Sequence, residues 1–153
     1  MKNRRKLILL SVILGALLLF IWGNSMLPVN QSKAESRVFS DFLNPILERF
    51  LPKDLVEGHD LVRKLAHFSE FAALGFVLGL ILQVTQREKP FYFSYVILCG
   101  VFVAVIDETI QLFSYGRGSQ VKDVLIDSAG ALTGLLFARL VAFLCKKLRN
   151  RRE

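Results

Sequence analysis

AVIDETIQLFSYGRGSQVKDVLIDSAGALTG, Ala104 to Gly134, is the stretch on which the fold turns. Asp107 and Glu108 sit side by side inside an apolar run. A glycine-containing basic turn follows, and Asp123 and Asp127 then open a second apolar run. The order apolar, acidic, turn, acidic, apolar describes two helices meeting at one end. Their acids would share that end.

The rest of the chain has the same blocked character. Its 153 residues are 53% hydrophobic with a mean hydropathy of +0.45. The order of those residues is more telling than their number. Leu7 to Gly23 carries no charge, Leu65 to Val84 only His67 and Glu70, Phe91 to Phe113 only Asp107 and Glu108, and Leu125 to Cys145 only Asp127 and Arg139. A helix needs roughly 20 residues to cross a bilayer core of about 30 Å. Amphipathic periodicity is weak in every block, which disfavours a soluble bundle. The expected fold is an all-α membrane protein: one domain over 1–153, a four-transmembrane-helix bundle with spans at approximately 6–26, 61–85, 91–113 and 122–145. An extracytoplasmic amphipathic segment, 28–59, is expected between the first two. Its apolar pairs Val38-Phe39, Phe42-Leu43, Ile46-Leu47 and Phe50-Leu51 recur every four residues, the pattern of a helix lying on a membrane surface.

The net charge of +7 does not indicate nucleic acid. Lys2, Arg4, Arg5 and Lys6 open the chain, and Lys146, Lys147, Arg149, Arg151 and Arg152 close it. Basic clusters beside apolar spans mark the cytoplasmic side and contact anionic lipid. Four spans then put both termini in the cytoplasm of a multi-pass cell-membrane protein. The first block reads as an uncleaved anchor, because its apolar run is long and the nearest small-residue site is far beyond it. Cys99 and Cys145 fall within spans and suggest neither a disulfide nor a metal pair.

With this topology the polar residues share one depth. At about 1.5 Å per residue, His67, Glu70, Asp107, Glu108, Gln111 and Asp127 lie within roughly 10 Å of the outer boundary. Asp123 and Arg117 lie above them. Lys64, His67 and Glu70 are three apart; Asp107 and Gln111 are four apart, as are Asp123 and Asp127, so each set shares a helix face. Acids in lipid are expensive and turn toward one another or toward water. The expectation is one polar pocket among the second, third and fourth spans, lined by Lys64, His67, Glu70, Asp107, Glu108, Gln111, Arg117, Asp123 and Asp127. The same charges could instead form an ion-pair network that fixes helix register, although buried ion pairs rarely stabilise much. Gly75 and Gly79, with Gly130 and Gly134, would let the second and fourth helices approach closely.

Three ordered motifs carry a family resemblance. They are Lys64-Leu-Ala-His67-Phe68-Ser-Glu70-Phe71, then Asp107-Glu108-Thr-Ile-Gln111-Leu-Phe, then Gly116-Arg117 with Asp123-Val124 and Gly130. Together they resemble the VanZ-like family over Arg63 to Leu136, and Asn24-Ser25 resembles the end of that family's first span. The resemblance implies a small bacterial envelope protein; the family takes its name from a member linked to low-level teicoplanin resistance. This chain departs from the family pattern at Phe71, where the family usually has Tyr, at Tyr115 (Pro) and at Asp127 (Asn).

Two kinds of function fit the pocket. One is a non-enzymatic binder of an outer-leaflet amphiphile, a lipid-linked cell-wall precursor or a lipoglycopeptide, with Arg117 and Lys64 on its anionic group and the acids on sugar or amine. The other is an intramembrane hydrolase or transferase acting on a lipid-linked substrate. For that reading the catalytic candidates are His67, Glu70, Asp107 and Glu108, with His67 as general base, or with these residues and Asp127 around a divalent metal. The spacing corresponds to no established metal motif, so no metal ligand and no cofactor is assigned from sequence.

Overall fold

The computed structural model describes residues 2–28, 49, 59–87, 89–115 and 118–151. They form four helices: α1 Lys2–Met26, α2 His59–Val84, α3 Pro90–Leu112 and α4 Val121–Asn150. Among the described residues there is no strand. Each helix contains a stretch long and apolar enough to cross a membrane, as the four blocks predict. In hydrocarbon every backbone N–H and C=O must be satisfied within the segment, so an apolar run of this length folds as helix. The segment expected at 28–59 lies outside the described residues apart from Pro28, Arg49 and His59.

Local chemistry sets the helix ends. Pro90 starts α3, where its missing N–H goes unneeded. Beyond the last residue of α2, Gln86 takes φ 57°. Its N–H donates to the Gln83 carbonyl and the Arg87 N–H to the Leu82 carbonyl, the paired bonds of a Schellman ending that glycine usually makes. α4 runs five residues past the expected span. Its last turn carries Lys147 and Arg149, whose charges suit a helix C-terminus.

Two different kinds of packing hold the bundle. α2 and α4 meet along a seam of small residues. A Cβ on Gly75 would run into the Ala131 carbonyl, one on Gly130 into the Phe68 carbonyl and one on Gly134 into the Ala72 carbonyl. Only glycine permits backbones this close, the usual device for helix association without a hydrophobic driving force. Around the seam lies an apolar core of Ile21, Phe71, Leu74, Val103, Ala104 and Ala131. α1 joins it through Leu14, Leu17, Leu18 and Trp22, whereas Ile8, Leu9 and Val12 on its first half are exposed. Large apolar side chains are exposed on the outsides of α3 and α4 as well, among them Leu98, Phe102, Leu136, Phe137 and Phe143, which suits contact with lipid tails. Arg139, the one cation within the fourth apolar block, has its guanidinium 4.0 Å from the centre of the Phe93 ring. That cation–π contact lies toward the start of α3, away from the acids.

Candidate functional site

The ends of α1 and α3 and the beginnings of α2 and α4 meet at one end of the bundle, and the acids converge there. Asp107, Glu108, Gln111, Asp123 and Asp127 are all buried. Lys64, His67, Glu108, Gln111, Asp123 and Asp127 line one open pocket together with Arg63 and Ile126. Its cavity volume is about 10 Å³, room for a single water or ion. Of the nine residues expected there, these six line it. Glu70 and Asp107 do not; they lie beside it, toward α1. Arg117 lies outside the described residues.

Asp107 is the most heavily tied of the acids. Ser25 Oγ donates to Oδ1 at 2.6 Å and Gln111 Nε2 to Oδ2 at 2.9 Å. His67 Nδ1 stands 3.8 Å from Asp107 Oδ2 and 4.0 Å from Glu70 Oε2, within electrostatic range but longer than a hydrogen bond. Glu70 in turn accepts from Asn24 Nδ2 at 3.0 Å. Glu108 Oε2 accepts the backbone N–H of Gln120 at 2.9 Å, which fixes the start of α4 against the end of α3. Ser114 Oγ donates to the Ser25 carbonyl at 2.7 Å.

The pocket is lined by the second, third and fourth helices, as expected, and these bonds add the first helix behind it. α1 is a full member: Asn24 holds Glu70 and Ser25 holds Asp107. The dipeptide was legible in the sequence as a polar pair closing an uncharged span, but nothing in the spacing aims it at residues 46 and 82 positions away.

Asp127 stands apart. It is 1% exposed, it faces the pocket, and neither carboxylate oxygen has a hydrogen-bond partner. Glu108 Oε1 and Asp123 Oδ1 also lack one. Asp127, Asp107 and His67 each place one donor atom so that all three atoms lie within 4.8 Å of one another.

Among the described residues, the ion-pair network weighed from the sequence is only partly present. Arg63 approaches Asp123 at 3.9 Å. Asp107 and Glu108 are met by neutral donors, and Asp127 by none. A device for fixing helix register would match its acids with cations, because an uncompensated buried charge destabilises the fold.

The VanZ/LLP1 family model matches residues 8–142, all but seven residues at one end and eleven at the other. The chain belongs to the VanZ/LLP1 family. The match takes in α2 and α3 whole, most of α1 and α4, and every residue of the site. No curated protein and no solved structure matches the chain, so what distinguishes this VanZ/LLP1 protein is read from its own geometry. Phe71, where the resemblance leads one to expect tyrosine, is fully buried among apolar side chains and brings no hydroxyl to the site. Asp127, where asparagine is expected, puts a second carboxylate against Asp107.

Proposed function

We propose that this VanZ/LLP1 protein binds the polar head of an amphiphile at the outer leaflet of the bacterial cell membrane, and so alters susceptibility to teicoplanin-type glycopeptides. The observation that carries the reading is the convergence of Lys64, His67, Glu108, Gln111, Asp123 and Asp127 from three helices on one open pocket at one end of the bundle. Charged groups gathered at one end of an apolar bundle mark a binding or transport site more often than a structural one. The cavity accepts only a water-sized guest, so a headgroup sits across its mouth rather than inside it. Arg63 and Lys64 on α2, with Arg117 between α3 and α4 in the sequence, supply cations for a phosphate or carboxylate. The acids accept sugar hydroxyls or amines. The basic residues at both chain ends support cytoplasmic termini and an outward-facing pocket, on the side where a lipid-linked wall precursor or a lipoglycopeptide is found.

The test is direct binding to the full chain in lipid nanodiscs, with fluorescent teicoplanin and a polyprenyl-pyrophosphate-linked saccharide as probes. Loss of one charge-assisted contact at about 1.4 kcal/mol predicts roughly tenfold weaker binding for Arg117→Ala and for Lys64→Ala. If both variants bind as the wild type does, or if neither probe binds the wild type, the reading is wrong.

A second reading is favoured by one specific arrangement. His67 faces Asp107, whose oxygens are already fixed by Ser25 and Gln111, as a general base is faced by an orienting acid. On this reading the purified protein hydrolyses the lipid-linked probe, or transfers a group from it, and His67→Ala does not. Intact probe after prolonged incubation with the wild type removes it.

A further inference from the structure

Asp127 poses the sharpest energetic problem in the molecule. An ionised carboxylate buried without partners is destabilising by several kcal/mol. Asp127 is 1% exposed with both oxygens unpartnered, and a buried carboxylate oxygen of Asp107 lies within 4.8 Å. Two buried carboxylates at that separation repel each other. Nothing among the described residues offers Asp127 a donor. A cation small enough for a water-sized space would satisfy it and offset the repulsion from Asp107.

We propose that the pocket holds one divalent first-row metal ion, zinc or manganese in class, bound by His67 of α2, Asp107 of α3 and Asp127 of α4. Four observations converge on it. The donor set of one imidazole and two carboxylates suits these ions rather than copper or an iron–sulfur cluster. The three donor atoms lie within 4.8 Å of one another; ligands on one such ion stand about 3–4 Å apart at metal–ligand lengths of roughly 2.1 Å. Side-chain adjustments of less than about an ångström close that gap. His67 and Asp127 line a cavity of about 10 Å³, the space of one ion or water, and Asp107 stands beside it within 4.8 Å of both donor atoms. Finally, Asp107 is already held by Ser25 and Gln111, the outer support that orients metal-binding carboxylates.

The ion would do two things. It ties α2, α3 and α4 together at one point, with α1 attached through Ser25. It also offsets the excess of carboxylate in the pocket. Three protein ligands leave a coordination position open toward the pocket mouth, where Glu108 Oε1, itself without a hydrogen-bond partner, or a headgroup oxygen could complete the set. The metal site does not depend on the amphiphile reading, since metal content is measured without any lipid ligand.

The experiment uses the full chain carrying a tag free of histidine. Its exposed cysteines are both replaced by serine, so that thiols cannot hold zinc. Cells are grown with zinc and manganese, and the protein is purified without chelator and analysed by inductively coupled plasma mass spectrometry. Protein stripped with EDTA is then titrated with ZnCl2 and MnCl2, with the thermal midpoint followed in parallel. The wild type is expected to carry one ion per chain and to melt higher with metal than after EDTA. Asp127→Asn, which preserves shape, is expected to bind at least ~100-fold more weakly and to lose the thermal response; Ser25→Ala is expected to lose about tenfold. His67→Gln serves as a second ligand variant should Asp127→Asn not fold. Wild type that carries no metal and shows no thermal response overturns the proposal. So does metal bound equally by the wild type and by whichever ligand variant folds, which would place the ion elsewhere.

Discussion

Gly134→Ala probes the α2–α4 seam most directly. The added Cβ would run into the Ala72 carbonyl oxygen, and would lie 2.7 Å from that carbonyl carbon and 2.8 Å from the Phe76 nitrogen. Ordinary contact for a Cβ begins near 3.4 Å. Every obstructing atom is backbone, so no rotamer change relieves the clash and the helices themselves must part by roughly 1 Å or more at this point. Overpacking of this kind is destabilising by ~1–3 kcal/mol, and rigid obstruction argues for the upper end. Alanine returns up to ~1 kcal/mol of helix propensity over glycine, leaving a net loss of about 2 kcal/mol. Gly15 on α1 is the matched control, because a Cβ there meets nothing within 4 Å; Gly15→Ala is expected to stay within ~0.5 kcal/mol of wild type or above it. Trp22 is the single tryptophan and packs against the core, so its fluorescence reports thermal unfolding in mild detergent. At ~2–4 °C per kcal/mol for a chain of this size, Gly134→Ala should lower the midpoint by about 4–8 °C and Gly15→Ala should not lower it. Equal midpoints for the wild type and Gly134→Ala would refute the seam, the more so if Gly75→Ala behaved the same way.

Other consequences are as direct. Ser25→Ala removes a buried 2.6 Å hydrogen bond to a carboxylate and should destabilise by ~1.5–3 kcal/mol, whereas Gly23→Ala, two residues away with nothing within 4 Å, should not. Gln86→Gly relieves a left-handed backbone of φ 57° and should raise stability by about 1 kcal/mol, read as a higher melting midpoint. Phe71→Ala, at a fully buried core position, should lower stability by ~3–5 kcal/mol. Reporter fusions at the two ends should agree: green fluorescent protein fluorescent and alkaline phosphatase inactive at both, with activity at either end overturning the orientation.

The four helices were legible because insertion into a bilayer responds to local hydropathy. Leu7 to Gly23, Leu65 to Val84, Phe91 to Phe113 and Leu125 to Cys145 each announce a span without reference to the others, and the structure alters their limits only by a few residues. Where the helix overran most, beyond Cys145, the continuation is basic rather than apolar, so hydropathy could not mark it. The placement of Asp107, Glu108, Asp123 and Asp127 at one end was legible for a similar reason: once spans alternate in direction, depth follows from residue count. The glycine pairs of α2 and α4 were visible too, but spacing alone did not say that Gly75 meets Ala131 or that Gly134 meets Ala72.

The sequence by itself therefore determined that this is a four-helix membrane protein of the VanZ/LLP1 kind whose acids within the spans gather at one end. Tertiary structure alone decided which of those charges face each other. Depth is a one-dimensional quantity and can be counted along the chain. Rotation about each helix axis is not, when the amphipathic signal is as weak as it is here. Only packing turns Asn24 and Ser25 toward Glu70 and Asp107, sets Arg139 over Phe93 at the far end, and leaves Asp127 buried and unpartnered beside Asp107 and His67.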